Sequence, residues 1–239
     1  MGPVRLVLAG AVSLMTLAPV RVAAATPSAC PPLPAVEHLR QFGPAARADV
    51  DGDGVVDRAW IAAQPSAPGF CGIFLVVRTR RGVVAIRVPG NADGPASASL
   101  SKGLPRLFGL LRLSGARDLE PVVIVDRGVD AVAFAAYRLE GNGLARVAVP
   151  GPAGNKLDWA DGSTAFGGID CAGKGEGTRL KDAFAEQQGD GSWLLTRHTY
   201  RLAASRLMAE KALSAVLASK PRVPLALPFA HCAGLRAGG

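Results

Sequence analysis

Asp49-Val50-Asp51-Gly52-Asp53-Gly54-Val55-Val56-Asp57 places four carboxylates at positions 1, 3, 5 and 9 of one short loop. That alternation is the spacing of a calcium-binding loop. Ca²⁺ is a hard cation that takes about six to eight oxygens at roughly 2.3–2.6 Å, and alternate aspartates around a glycine turn at position 6 fold their carboxylates onto one point. Gly54 stands at position 6, and the Val55 carbonyl is the expected backbone ligand at position 7. The expected ligand set is Asp49, Asp51, Asp53, Val55 and Asp57, with Ca²⁺ as the cofactor. Without a cation, or full solvation, carboxylates this close repel one another.

The loop is not an EF-hand. That motif needs a bidentate Glu at position 12, where this chain has Trp60, followed by Ile61, Ala62 and Ala63. Past a Pro-containing break comes Gly72-Ile73-Phe74-Leu75-Val76-Val77, which is strand material and not an exiting helix. An aspartate loop that feeds a strand, with Phe42-Gly43 ahead of it, resembles the FG-GAP or VCBS-type repeat. That repeat is the calcium-loop unit of integrin α-subunit propellers and of many secreted bacterial proteins. The resemblance is clearest over residues 42–77 and implies a calcium-stabilised β-blade. It implies no particular activity, because one fold hosts many functions.

Strand-like runs recur along the chain. Residues 73–77 pair with 83–88, 122–125 with 131–139 and then 144–149, and 180–185 with 193–202; each run is bounded by Gly, Pro, Asn or Asp. Asp57-Arg58-Ala59-Trp60-Ile61 aligns with Glu120-Pro121-Val122-Val123-Ile124 at an offset of 63, whereas Phe42-Gly43 and Phe108-Gly109 lie 66 apart. The simplest account of the difference is a second loop, Leu113 to Glu120, that is shortened, keeps its turn and binds no metal. A third unit starts at Phe166-Gly167-Gly168-Ile169-Asp170 and continues through Lys174-Gly175-Glu176-Gly177. No Gly-Lys-[Ser/Thr] follows, so these glycines read as a turn and not as a phosphate loop.

The expected fold is mainly β, with three degenerate propeller-blade-like repeats forming a compact partial propeller or small sandwich. The units span about 42–104, 105–165 and 166–220, after an N-terminal tail at 26–41. A Pro-rich C-terminal tail follows at 221–239, held extended by Pro221, Pro224 and Pro228. Residues 205–219 suit a helix by propensity and a strand by repeat logic, and both readings stay open.

Residues 1–25 read as a secretory signal peptide: Arg5, a mostly apolar run from Leu6 to Val20, and Ala23-Ala24-Ala25 before the expected cut. The apolar run contains Pro19 and is too short for a membrane span, and no later stretch qualifies. Lipidation at Cys30 is disfavoured, since Pro27-Ser28-Ala29 lacks the usual aliphatic residue. Cys30, Cys71, Cys171 and Cys232 form an even set suited to disulfides in an oxidising compartment. Of the three connectivities, Cys30–Cys71 and Cys171–Cys232 are favoured because each ties a terminal tail to its nearest repeat.

The formal net charge is +8, and removing Arg5 and Arg21 with the leader leaves 25 basic against 19 acidic residues, or +6. The arginines are scattered, with Arg78, Arg80 and Arg81 the tightest group, and aromatics make up only 5% of the chain. That offers no stacking platform for nucleic acid. The first reading is an ordinary Arg- and Ala-rich solvated surface with no set partner; the alternative is an exported surface that meets an anionic wall polymer, acidic glycan or lipid headgroup.

No catalytic residue is assigned. There is no Gly-x-Ser-x-Gly elbow and no His-Glu-x-x-His, and Ser163 and Ser192 lie in Asp-Gly turns. His198 falls in an alternating strand with Thr196 and Tyr200, while His38 and His231 read as solvent-facing tail residues. Trp60 and Trp193 are expected in the core, and Trp159 is the best exposed candidate for stacking on a sugar. The leading expectation is a secreted, non-catalytic, calcium-stabilised module; the alternative is an exported hydrolase with His198 held between a serine and a carboxylate.

Overall fold

The computed structural model describes residues 35–65, 70–89, 103–150, 156–221 and 228–236. The signal-peptide assignment and Cys30, hence the Cys30–Cys71 pairing, lie outside these residues. Strands β1 (Arg40–Ala48), β2 (Asp57–Pro65), β3 (Phe70–Thr79) and β4 (Gly82–Arg87) form an antiparallel meander in chain order. A second, ten-stranded antiparallel sheet begins with β5 (Arg106–Leu111), β6 (Glu120–Arg127), β7 (Ala131–Glu140) and β8 (Gly143–Arg146). It continues through β9 (Leu157–Asp161), β10 (Ala165–Ala172), β11 (Arg179–Gln187), β12 (Trp193–Ala203) and β13 (Arg206–Leu217), and ends with β14 (Gly234–Arg236). The spatial order is β13-β12-β11-β10-β9-β7-β6-β5-β14, with β8 attached to β7. β8 and β9 share one edge of β7, at residues 137–140 and 131–134 respectively.

Among the described residues strands hold 64%, no α-helix occurs and neither sheet closes into a barrel. The mainly β expectation holds at that level. Of the ambiguous stretch 205–219, residues 206–217 are strand: β13 pairs with β12 over nearly its whole length, so cross-strand pairing overrides a good helical composition. Among the described residues no helix is long and apolar enough to cross a membrane.

β6 shows why its sequence is continuously apolar. Val123 and Val125 enter one core with Ala59, Ile61, Leu75 and Val77 of the first sheet. Val122 and Ile124 point the other way, into a core shared with Leu180, Tyr200, Leu202 and Leu207. Both faces are buried, so no polar alternation survives. That second core draws β5–β7 and β11–β13 of one sheet together, which requires the sheet to bend back on itself. The bend passes the short β9–β10 pairing, where Gly167 lies opposite Ala160. A Cβ at Gly167 would stand 2.2 Å from the Ala183 carbonyl oxygen and 2.7 Å from the Phe184 Cα. Gly167→Ala is therefore expected to cost about 1–3 kcal/mol in a denaturant melt, as overpacking does.

Residues 228–236, within the segment expected to lie extended, strap β10 to β5. The Phe229 amide donates to the Ile169 carbonyl, Cys232 is bonded to Cys171 with Cα atoms 4.8 Å apart, and β14 pairs with β5. The Cys171–Cys232 expectation holds.

Candidate metal centre

The loop between β1 and β2 folds its carboxylates inward by hydrogen-bonding them to its own backbone. Asp49 accepts from the amides of Asp53 (3.0 Å) and Gly54 (2.8 Å). Asp51 Oδ1 accepts from Asp53 at 3.3 Å, and Asp53 Oδ1 accepts from Val55 at 2.8 Å. Asp57 Oδ2 accepts from Val50 and Asp51 at 2.8 and 3.3 Å. Gly52 and Gly54 supply the left-handed turns, at φ +74° and +86°.

Carboxylate oxygens of Asp49, Asp51 and Asp57 come within 4.8 Å of one another. Asp53 is more exposed and its carboxylate is not part of that cluster, and Val55 is exposed as well. Two oxygens, Asp51 Oδ2 and Asp57 Oδ1, are buried with no hydrogen-bond donor. Asp57 is only 2% exposed, and the Asp51 side chain only 5%. The nearest cation to Asp51 is Arg81, whose Nε is 3.8 Å from Oδ2 and whose side chain is largely in solvent. Leaving such groups unpaired costs about 1–3 kcal/mol each. Burial raises the Asp57 pKa, opposed by the Val50 amide and reinforced by the charge of Asp51. A divalent cation would satisfy both orphaned oxygens and this excess negative charge, so the donor set fits a hard, oxygen-seeking ion.

The loop between β5 and β6 repeats the backbone pattern 63 residues on. Glu120 Oε2 accepts from Leu113 at 2.8 Å and Ser114 at 3.3 Å, matching the two bonds to Asp57 in partner spacing and length. The Ala116 amide donates to Ser114 Oγ at 3.3 Å, as Asp53 donates to Asp51. Gly115, at φ +75°, stands where Gly52 does. Arg112, Ser114 and Ala116 occupy the places of Asp49, Asp51 and Asp53, so of the four carboxylates of the first loop only Asp57 has a counterpart there, Glu120.

The second loop is not shortened. Eight residues separate Ala48 from Asp57, and eight separate Leu111 from Glu120. The three-residue discrepancy arises in the strands: Phe42 pairs with Ile61, whereas Arg106 pairs with the equivalent Ile124. Both strands carry register shifts, at Phe42/Ala46 and Leu107/Gly109, so the two Phe-Gly pairs are not equivalent positions.

The loops also touch. The Leu119 amide donates to the Val50 carbonyl at 3.2 Å, and a Cβ on Gly52 would lie 3.3 Å from the Arg117 Cβ. Beside them Asp51, Arg81, Val84, Asp118 and Asn142 line a polar cleft of about 370 Å³. The candidate centre thus sits where the first two meanders meet.

The other candidate residues are placed elsewhere. His198 Nδ1 lies 2.8 Å from Asp182 Oδ1, and the Tyr200 hydroxyl donates to Asp182 Oδ2 at 3.2 Å. No serine is among the described hydrogen-bond partners of His198. His231 is exposed and bound to Asp170, and His38 is exposed. Trp60 and Trp193 are buried as expected, at 7% and 5% exposure. Trp159 is half-buried against the second core. Asp182 carries no sequence motif; it is brought to His198 only by strand register. No family model, curated protein or solved structure matches the chain.

Proposed function

We propose that the chain is an exported, non-catalytic β-repeat protein of the FG-GAP or VCBS type that serves as a structural or binding module at the cell exterior. One Ca²⁺ in the loop from Asp49 to Asp57 locks the junction between its first two units. The observation that carries this reading is the pair of buried, donorless oxygens, Asp51 Oδ2 and Asp57 Oδ1, on two members of the Asp49–Asp51–Asp57 cluster. Matching bonds to Asp57 and Glu120 support a duplicated unit. The leader-like N-terminus and the Cys171–Cys232 disulfide support export. In a partial propeller, each four-stranded meander is one blade.

Thermal melts of the purified protein in EDTA, Mg²⁺ and Ca²⁺ test the reading. Calcium at about 100 times Kd stabilises by ~2.7 kcal/mol, or about 5–10 °C in midpoint for a chain of this size. Asp51→Asn and Asp57→Asn are expected to remove the Ca²⁺ increment. An increment that survives both substitutions, or one that Mg²⁺ reproduces in full, contradicts the assignment.

A further inference from the structure

Strand register gathers onto one face of the third unit cations that lie far apart in sequence. Asp170 pairs with Lys181, Lys181 with Thr199, and Thr199 with Lys211, giving one row across β10–β13. The adjacent row is Gly168, Ala183, Arg197 and Leu213. Residues opposite one another in antiparallel strands share a face. Lys181, Arg197 and Lys211 therefore rise around a floor of Gly168, Ala183 and Thr199, and with His231 they line a cleft of about 450 Å³.

All three cations are exposed, and among the described residues none has an acidic partner. The neighbouring acids hydrogen-bond to other side chains than these three. Asp170 is bound by the His231 ring and amide, Glu210 by Arg179 and Arg201, and Asp182 by His198 and Tyr200. Asp170 and Asp182 also line the cleft, so its three cations face two carboxylates and leave a formal excess of one positive charge on the sheet face. Lys181 and Lys211 flank Thr199 two strand spacings apart, roughly 10 Å between backbones.

We propose that this face binds a linear acidic polysaccharide, its carboxylates seated on Lys181, Arg197 and Lys211 and its sugar rings lying over Gly168, Ala183 and Thr199. A carboxylate spaced once per disaccharide suits the Lys181–Lys211 separation, and the Arg197 fork suits bidentate carboxylate recognition. Nucleic acid is disfavoured because the aromatics on this face, Phe166 and Trp193, are buried beneath Lys220, whose Nζ is 4.6 Å from the Phe166 ring centroid. A planar lipid surface is disfavoured because the cations rim a concavity. This inference rests on the binding-module reading and names its partner, but it does not depend on the calcium loop.

The test is calorimetric titration of the purified protein with hyaluronate oligosaccharides in EDTA, at low and high salt. Salt-sensitive binding is expected. Lys181→Gln and Lys211→Gln should each weaken it about tenfold, and adding Arg197→Gln should abolish it. Arg47→Gln/Arg80→Gln/Arg127→Gln removes the same charge from other surfaces and should leave binding within about twofold, the size of effect expected of remote surface charge. Absent binding by the unaltered protein, equal loss in this control, or stronger binding to a thymidine oligonucleotide or phosphatidylglycerol vesicles overturns the proposal. Failure here beside an intact Ca²⁺ increment retires only this face. Hyaluronate binding without any Ca²⁺ increment retires only the metal loop.

Discussion

Phe229→Ala is expected to destabilise the protein by about 3–5 kcal/mol, at the upper end for a core substitution. Phe229 is fully buried. Its ring packs edge-on against Phe134 with centroids 5.2 Å apart, and tilted against Phe108 at 5.6 Å. The backbone there is left-handed, at φ +57°, a conformation that a bulky residue keeps only when its surroundings hold it. Removing the ring opens a cavity between β5–β7 and β10 and releases that hold. The strap runs on through Cys232 to β14, so its docking weakens as well. Phe229→Leu fills most of the cavity and is expected to cost under about 2 kcal/mol. Denaturant melts of the disulfide-intact variants check this, and a loss below 1 kcal/mol for Phe229→Ala would mean that the strap does not close the fold.

In EDTA, stability is expected to fall as pH rises through neutrality, and Glu120 is the main reason. Burial pushes its pKa from 4.5 up to about 7; the Leu113 amide and Ser114 oppose the shift, the charge on Asp118 adds to it, and Arg138 opposes it. A group whose pKa is raised on folding contributes stability that is complete below its unfolded value and is lost as pH rises through its folded value. The window therefore runs from about pH 4.5 to above 7, and a shift of this size corresponds to roughly 3 kcal/mol. Glu120 Oε1 is buried without a donor, so ionisation leaves a charge with only the Oε2 bonds to Leu113 and Ser114. Glu120→Gln keeps an acceptor for those two amides and cannot ionise. Its stability should be nearly flat across the window, apart from a residual fall from Asp57, whose pKa is raised in the same direction. A Glu120→Gln variant as pH-sensitive as the parent would assign the effect elsewhere.

The first loop was legible because its ligands are contiguous: an aspartate at every second position announces itself without knowledge of the fold. The match of Asp57 to Glu120 was legible too, since both open an apolar strand. What misled was Phe-Gly. It recurs at a different register because bulges in β1 and β5 absorb unequal numbers of residues, and a bulge leaves little trace in composition. The strand at 206–217 was hidden because pairing with β12, and not propensity, decides it. The Lys181, Arg197 and Lys211 group was invisible, since residues 16 and 14 positions apart become neighbours only through hairpin register. Read linearly, the same basic residues are scattered, and Arg78, Arg80 and Arg81 stand out instead.

Calcium titration by isothermal calorimetry counts the ions that the Asp49–Asp57 loop holds. One Ca²⁺ per chain is expected, with Kd in the ~10⁻⁴–10⁻³ M range of extracellular calcium-loop modules, no heat from Asp57→Asn, and unchanged stoichiometry in Glu120→Gln. Binding that survives Asp57→Asn, a second equivalent lost in Glu120→Gln, or no binding by the unaltered protein would contradict the account.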